Sequence, residues 1–174
     1  MDGQTLTIVL RLFHVVAGVV WVGGMTIMAW FLLPALPAIG QAGGKLMQEL
    51  MFVRRLRTWM MALMGTTVLS GVWLFVRNVA GTDGGWASSP PGIGYSIGAL
   101  AAIVAGAFGM AVGARAGRQM AMLVQEIGRT GGPPSETQAA EMARLQQRAG
   151  VTSKVVSVLL LIAAAAMGTA RYWG

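Results

Sequence analysis

The sequence predicts an all-α integral membrane four-helix bundle, with both termini outside and a cytoplasmic helical hairpin extension between the third and fourth spans. Three observations carry that prediction. Only 11% of the 174 residues are charged, against about 25% in soluble domains, while 55% are hydrophobic and the mean hydropathy is +0.64. Four apolar runs approach or exceed the about 20 residues that a helix needs to cross a bilayer: Leu6 to Leu33, Trp59 to Val76, Ile93 to Ala114 and Val151 to Ala170. Basic residues are unevenly shared between the connections. Lys45, Arg54, Arg55 and Arg57 follow the first span, and Arg115, Arg118, Arg129, Arg144, Arg148 and Lys154 follow the third, whereas only Arg11, Arg77 and Arg171 fall on the other side. Ten against three puts both basic connections in the cytoplasm by the positive-inside rule. The net charge of +7 is then a matter of orientation, and no nucleic-acid partner is expected.

Helix is the economical conformation for each span, because unpaired backbone amides are costly in lipid. The expected helices cover about 6–33, 57–77, 93–129 and 135–172, in one membrane domain that takes up residues 1–174. The first run is too long for a cleavable signal peptide and is preceded by no basic region, so it is expected to stay in the mature protein. The second run holds Thr67 and Ser70 and leads into "NVAGTDGGWASSPPGIGYS", an outer connection of turn formers with Trp86 and Tyr95 as interface anchors.

In the third run Gly94, Gly98, Ala102 and Gly106 recur every four residues, as do Ala105, Gly109, Gly113 and Gly117. Such stripes let helix backbones approach closely where the hydrophobic effect does not drive association. They fit packing within the chain, or a groove for a flat cofactor or another subunit. From Ile93 to Gly128 an unbroken helix would be about 54 Å long and would overshoot the bilayer. After "GRTGGPP", Ser135 and Gln138 have the spacing of a capping box that opens the helix leading into the fourth span. The extensions, with Leu123 and Leu145 among their apolar positions, are expected to pair as an antiparallel hairpin.

With no cysteine, thiolate zinc sites, iron–sulfur clusters and cysteine nucleophiles are excluded. No span contains paired carboxylates and no hydrolase triad is evident, so no catalytic residue is expected. The candidate chemistry rests on the one histidine. Arg11, His14, Gly18, Trp21, Met25 and Met28 share one helix face, and an ionisable residue within a span is a functional candidate by default. A histidine bonded to a neighbouring serine or threonine would read the same. Counted along their helices, His14 and Met167 lie about 12 Å and about 9 Å below the outer ends. They are therefore candidates for the two axial ligands of a haem b, a pairing used in cytochromes. Two copies of His14 across a dimer axis, or His14 with an open position opposite, fit the sequence as well. The 13 methionines, among them Met60, Met61 and Met64, allow copper(I) as a further but weaker candidate, since methionine is also a common core filler.

The stretch "RLFHVVAGVVWVGGMTIMAWFLLPAL" resembles the opening helix of small bacterial membrane proteins related to the copper-resistance D (CopD) type, and "GGPPSETQAAEMARLQQR" and "LLLIAAAAMGTARYWG" resemble their inner loop and close. The likeness spans nearly the whole chain. It implies a multi-pass protein of the bacterial inner membrane with a role in electron transfer or in cofactor or metal handling. A more distant similarity is to the membrane-bound protoporphyrinogen oxidase J (HemJ) type, whose first-helix histidine is implicated with haem; His14 is the residue that carries over. The lysine that family uses within a later helix has no counterpart, because Lys45 and Lys154 both lie near the cytoplasmic side. The candidate cofactor residues are thus His14, also the candidate metal ligand, with Met167, Arg11, Gly18, Trp21 and Arg171. The alternative is a non-catalytic accessory subunit, a homodimer or part of a larger membrane complex.

Overall fold

The computed structural model of the chain describes residues 2–131 and 133–174; the side chains of Gln41 and Thr130 and the glycine at 132, inside the "GRTGGPP" turn, lie outside that description. The described residues are helical almost throughout, with no strand. Four helices are long and apolar enough to cross a membrane: Gly3–Ile39, Leu56–Ala80, Pro90–Arg129 and Glu136–Tyr172, with mean hydropathies of 2.0, 1.6, 2.0 and 2.0. Their outward sides are apolar as well. Leu69 is 73% exposed, Val19 66% and Leu100 64%, a surface suited to lipid rather than water.

Helix α1 (Gly3–Ile27) starts at Asp2, whose carboxylate accepts the Thr5 backbone N–H at 2.7 Å. Its hydrogen bonding then widens to a π-helical turn over Met28–Leu32 before resuming at Leu33–Ala35 and tightening over Leu36–Ile39. Pro34 accounts for the widening: it has no N–H to give the Trp30 carbonyl, and its ring crowds that oxygen. Gly40, at φ 54°, turns the chain into α2 (Gln41–Gln48), which runs into a second π-helical turn, Glu49–Val53. Gly43 makes this corner possible, since a β-carbon there would fall 2.5 Å from the Leu36 carbonyl oxygen. The sequence reading had treated this segment only as a basic connection. The apolar pairs Leu46/Met47 and Leu50/Met51, one turn apart, are the helical signal it contains, weakened by the adjacent Gly43 and Gly44.

Arg55, in the left-handed region at φ 52°, separates α2 from α3 (Leu56–Ala80). A short connection leads to Ser89, which caps α4 (Pro90–Thr130) with Pro90 at the first helical position. Gly131, also left-handed, ends α4. Helix α5 (Glu136–Thr169) opens with the expected capping box: Gln138 N–H donates to Ser135 Oγ at 3.2 Å, and Ser135 N–H donates to Gln138 Oε1 at 3.0 Å.

Helix α1 packs chiefly on α3, and α4 chiefly on α5. The two pairs meet in a core of Trp21, Ala102, Ala105, Val156, Leu160 and Ala163, with Met25, Met60 and Met64 against it. One end of the bundle gathers the termini and the α3–α4 connection. Arg77 donates to the Gly3 carbonyl, Gly94 lies beneath Ala170 and Trp173, and Trp86 stacks on Tyr95 with centroids 5.7 Å apart while meeting the edge of Phe75 at 5.4 Å.

The first small-residue stripe packs as its spacing predicts. A β-carbon at Gly98 would stand 2.6 Å from Met167 Cγ, and one at Gly106 would stand 3.1 Å from Met64 Sδ. The second stripe behaves differently. Gly109 meets Val156, but no heavy atom lies within 4 Å of where a β-carbon would stand at Gly113 or Gly117, so close approach ends near Gly109.

Candidate functional site

His14 sits half-buried on the face of α1 that meets α3, and the local sequence of α3 explains how it fits. Thr67, Ser70 and Gly71 present small or polar groups one helical turn apart. Thr67 and Ser70 are buried, at 8% and 5% exposure. Gly71 admits the ring: a β-carbon there would be 2.7 Å from His14 Cε1 and 3.0 Å from Nδ1. One turn along, Gly18 of α1 receives the Thr67 methyl group in the same way, 3.4 Å from where its own β-carbon would stand. Glycine on each helix thus accepts a side chain of the other.

The hydrogen bonding fixes the imidazole tautomer. His14 Nδ1 is 2.8 Å from the Thr67 carbonyl oxygen, which only accepts, so Nδ1 carries the proton and donates. Ser70 Oγ is a weaker neighbour at 3.4 Å, and its hydroxyl also reaches the Thr66 and Thr67 carbonyls. Nε2, the nitrogen that holds the lone pair whenever the ring is neutral, has no hydrogen-bond partner among the described residues.

The other candidate residues divide. Gly18 lies beside His14 through Thr67, whereas Trp21, 4% exposed, packs in the central core with its ring near Gly106 of α4. Met167 is half-buried against Gly98, in the seam between α4 and α5. Arg11 is exposed, and so is Arg171, whose guanidinium lies 4.5 Å from the centroid of the neighbouring Tyr172 ring. Met60 fills the notch at Gly24 and Met64 the one at Gly106, while Met61 is 48% exposed. Among the described residues, no three or more of His, Cys, Asp and Glu come together. No family model, curated protein or solved structure matches this chain.

Sequence analysis singles out Thr67 and Ser70 in the second run but not Gly71. The signal was present in "TTVLSG", where Thr67 and Gly71 stand four residues apart, as His14 and Gly18 do on α1. It also missed a second polar chain farther along α1. Trp30 Nε1 donates to Ser157 Oγ at 3.2 Å, Ser157 donates to Thr26 Oγ1 at 3.1 Å, and Thr26 donates to the Val22 carbonyl at 2.8 Å. Lys154 Nζ lies 5.4 Å from the Trp30 ring. These groups join the π-helical part of α1 to α5, and Ser157 is fully buried.

Proposed function

We propose that this chain is a multi-pass protein of the bacterial inner membrane that binds haem b through His14, with both termini outside and a role in electron transfer or cofactor handling. The observation that carries the reading is the 2.8 Å contact of His14 Nδ1 with the Thr67 carbonyl oxygen. Histidines that ligate metals usually donate their other ring N–H to a carbonyl or carboxylate, which orients the ring and raises its basicity. Here Nδ1–H donates to the Thr67 carbonyl, leaving the Nε2 lone pair for iron. The donor chemistry at this position therefore fits one axial ligand. Thr67 and Ser70 orient the imidazole, and Gly71 gives it room on α3. When bound, haem would supply one-electron redox chemistry. In three versions of the same proposal, Met167 would supply a second ligand, a second copy's His14 would supply it, or none would be supplied.

The bond to Thr67 also holds α1 to α3 without any cofactor, which fits a structural histidine, and the accessory-subunit reading stands as the second one. Colour separates the two. After expression with ample haem, the protein purified in detergent is expected to show a Soret band that shifts on reduction. His14→Ala is expected to abolish that band while keeping its helical circular dichroism. A colourless wild-type protein would overturn the haem reading and leave the subunit reading in front. Met167→Leu conserves volume and apolarity, so its structural cost is small. A lower reduction potential in that variant would identify the sulfur as the second ligand, because methionine ligation raises the potential. An unchanged spectrum and potential would remove Met167 from the site.

A further inference from the structure

Where the second glycine stripe of α4 ceases to pack, α4 and α5 enclose a groove of about 450 Å³, continued by a smaller cavity of about 110 Å³ that reaches Gly113 and Val156. Its exposed wall is mainly apolar, with Val112, Ala116 and Val151 prominent, and Arg115 and Arg148 line it together with Gln119, Gln147 and Thr152. From this groove we infer a binding site for one anionic phospholipid of the cytoplasmic leaflet, its phosphate between Arg115 and Arg148 and an acyl chain against Val112, Val151 and Val156.

Depth supports this occupant. At 1.5 Å per residue, Val112 lies about 28 Å along α4 from Ile93, and Arg115 about 33 Å. On α5, counted from Ala170, Val151 lies about 28 Å away and Arg148 again about 33 Å. With a hydrocarbon core about 30 Å thick, Val112 and Val151 stand at the end of the acyl region, and both arginines, with Ala116, Gln119 and Gln147, reach headgroup level. Charge selects the headgroup. The described ion pairs engage Glu49 with Arg54 and Glu141 with Arg144, so neither Arg115 nor Arg148 has a carboxylate partner among the described residues. A guanidinium suits phosphate in geometry and charge, and the cytoplasmic leaflet is the anionic one. The inference relies on the membrane topology and not on haem.

The test is lipid titration of the full-length purified protein, followed by native mass spectrometry, with phosphatidylglycerol compared with phosphatidylcholine of the same acyl chains. The wild-type protein is expected to retain phosphatidylglycerol with a preference of about tenfold or more, given the usual contribution of a basic side chain near an anionic surface. Arg115→Gln with Arg148→Gln should bring the two lipids close to parity. Arg57→Gln with Arg129→Gln, which removes as much charge from exposed positions that line neither cavity, should keep the preference. Gly113→Leu adds a side chain where no atom lies within 4 Å, and it should reduce lipid retention with every arginine intact. If the double arginine variant failed to fold, Gly113→Leu would decide the matter. Parity in the wild-type protein, equal loss in the two arginine pairs, an inert Gly113→Leu, or displacement of the lipid by millimolar inorganic phosphate would each overturn the proposal.

Discussion

At the residue scale, the site depends as much on what is missing from Gly71 as on what His14 carries. Gly71→Ala would put a methyl group 2.7 Å from His14 Cε1, inside van der Waals contact, so the ring has to move away from the Thr67 carbonyl. Overpacking of this kind costs about 1–3 kcal/mol. Gly65, on the same helix, has no atom within 4 Å of the corresponding position. Gly65→Ala should therefore be neutral or slightly stabilising, by up to about 1 kcal/mol. Thermal unfolding in detergent compares the pair. Equal effects of the two alanines would mean that the ring and Gly71 are not in close contact. In a haem-loaded preparation, Gly71→Ala should also perturb the Soret band, and Gly65→Ala should leave it in place.

At the element scale, α4 and α5 are far longer than a bilayer requires. Helix α4 has 41 residues, about 61 Å of helix against about 30 Å of hydrocarbon. The excess lies beyond Arg115, where α5 supplies Leu145, which is 2% exposed, whereas Leu123 of α4 is only half-buried. Leu145→Asp should therefore destabilise the protein by several kcal/mol, because it buries an unpaired charge, and Leu123→Asp should cost less. Melting temperature and protease resistance measure both. Wild-type values in the Leu145→Asp variant would show that the extensions are separate, solvated helices. The capping box of α5 was legible in "SETQ" because it is local chemistry, whereas α2 was not read as a helix because two glycines interrupt a short amphipathic pattern.

At the scale of the whole molecule, four helices long enough to span a membrane place both termini and the α3–α4 connection at one end of the bundle. In the proposed topology that end is the outside, on the ten-to-three division of lysine and arginine. Single cysteines at Gly85 and Ser135, in a chain with no native cysteine, should label from opposite faces of the membrane, Gly85 from outside. Labelling of both from one side would contradict four crossings. Reversed accessibility would leave the crossings intact and invert the orientation.

By itself, the sequence determined what depends on composition and on short-range periodicity: four apolar helices, their approximate limits, the box at Ser135 and the charge asymmetry that predicts orientation. These properties follow from the cost of unpaired amides in lipid and from hydrogen bonds between residues three or four apart. Which helix each face meets was decided only by the tertiary structure. Two glycine stripes with the same four-residue period had different outcomes, Gly98 closing on Met167 and Gly113 standing open, because packing depends on the volume opposite and that volume belongs to another helix. His14 was conspicuous in the sequence, but its tautomer was not. That depended on the Thr67 carbonyl, which is 53 residues away in the chain and 2.8 Å away in the fold.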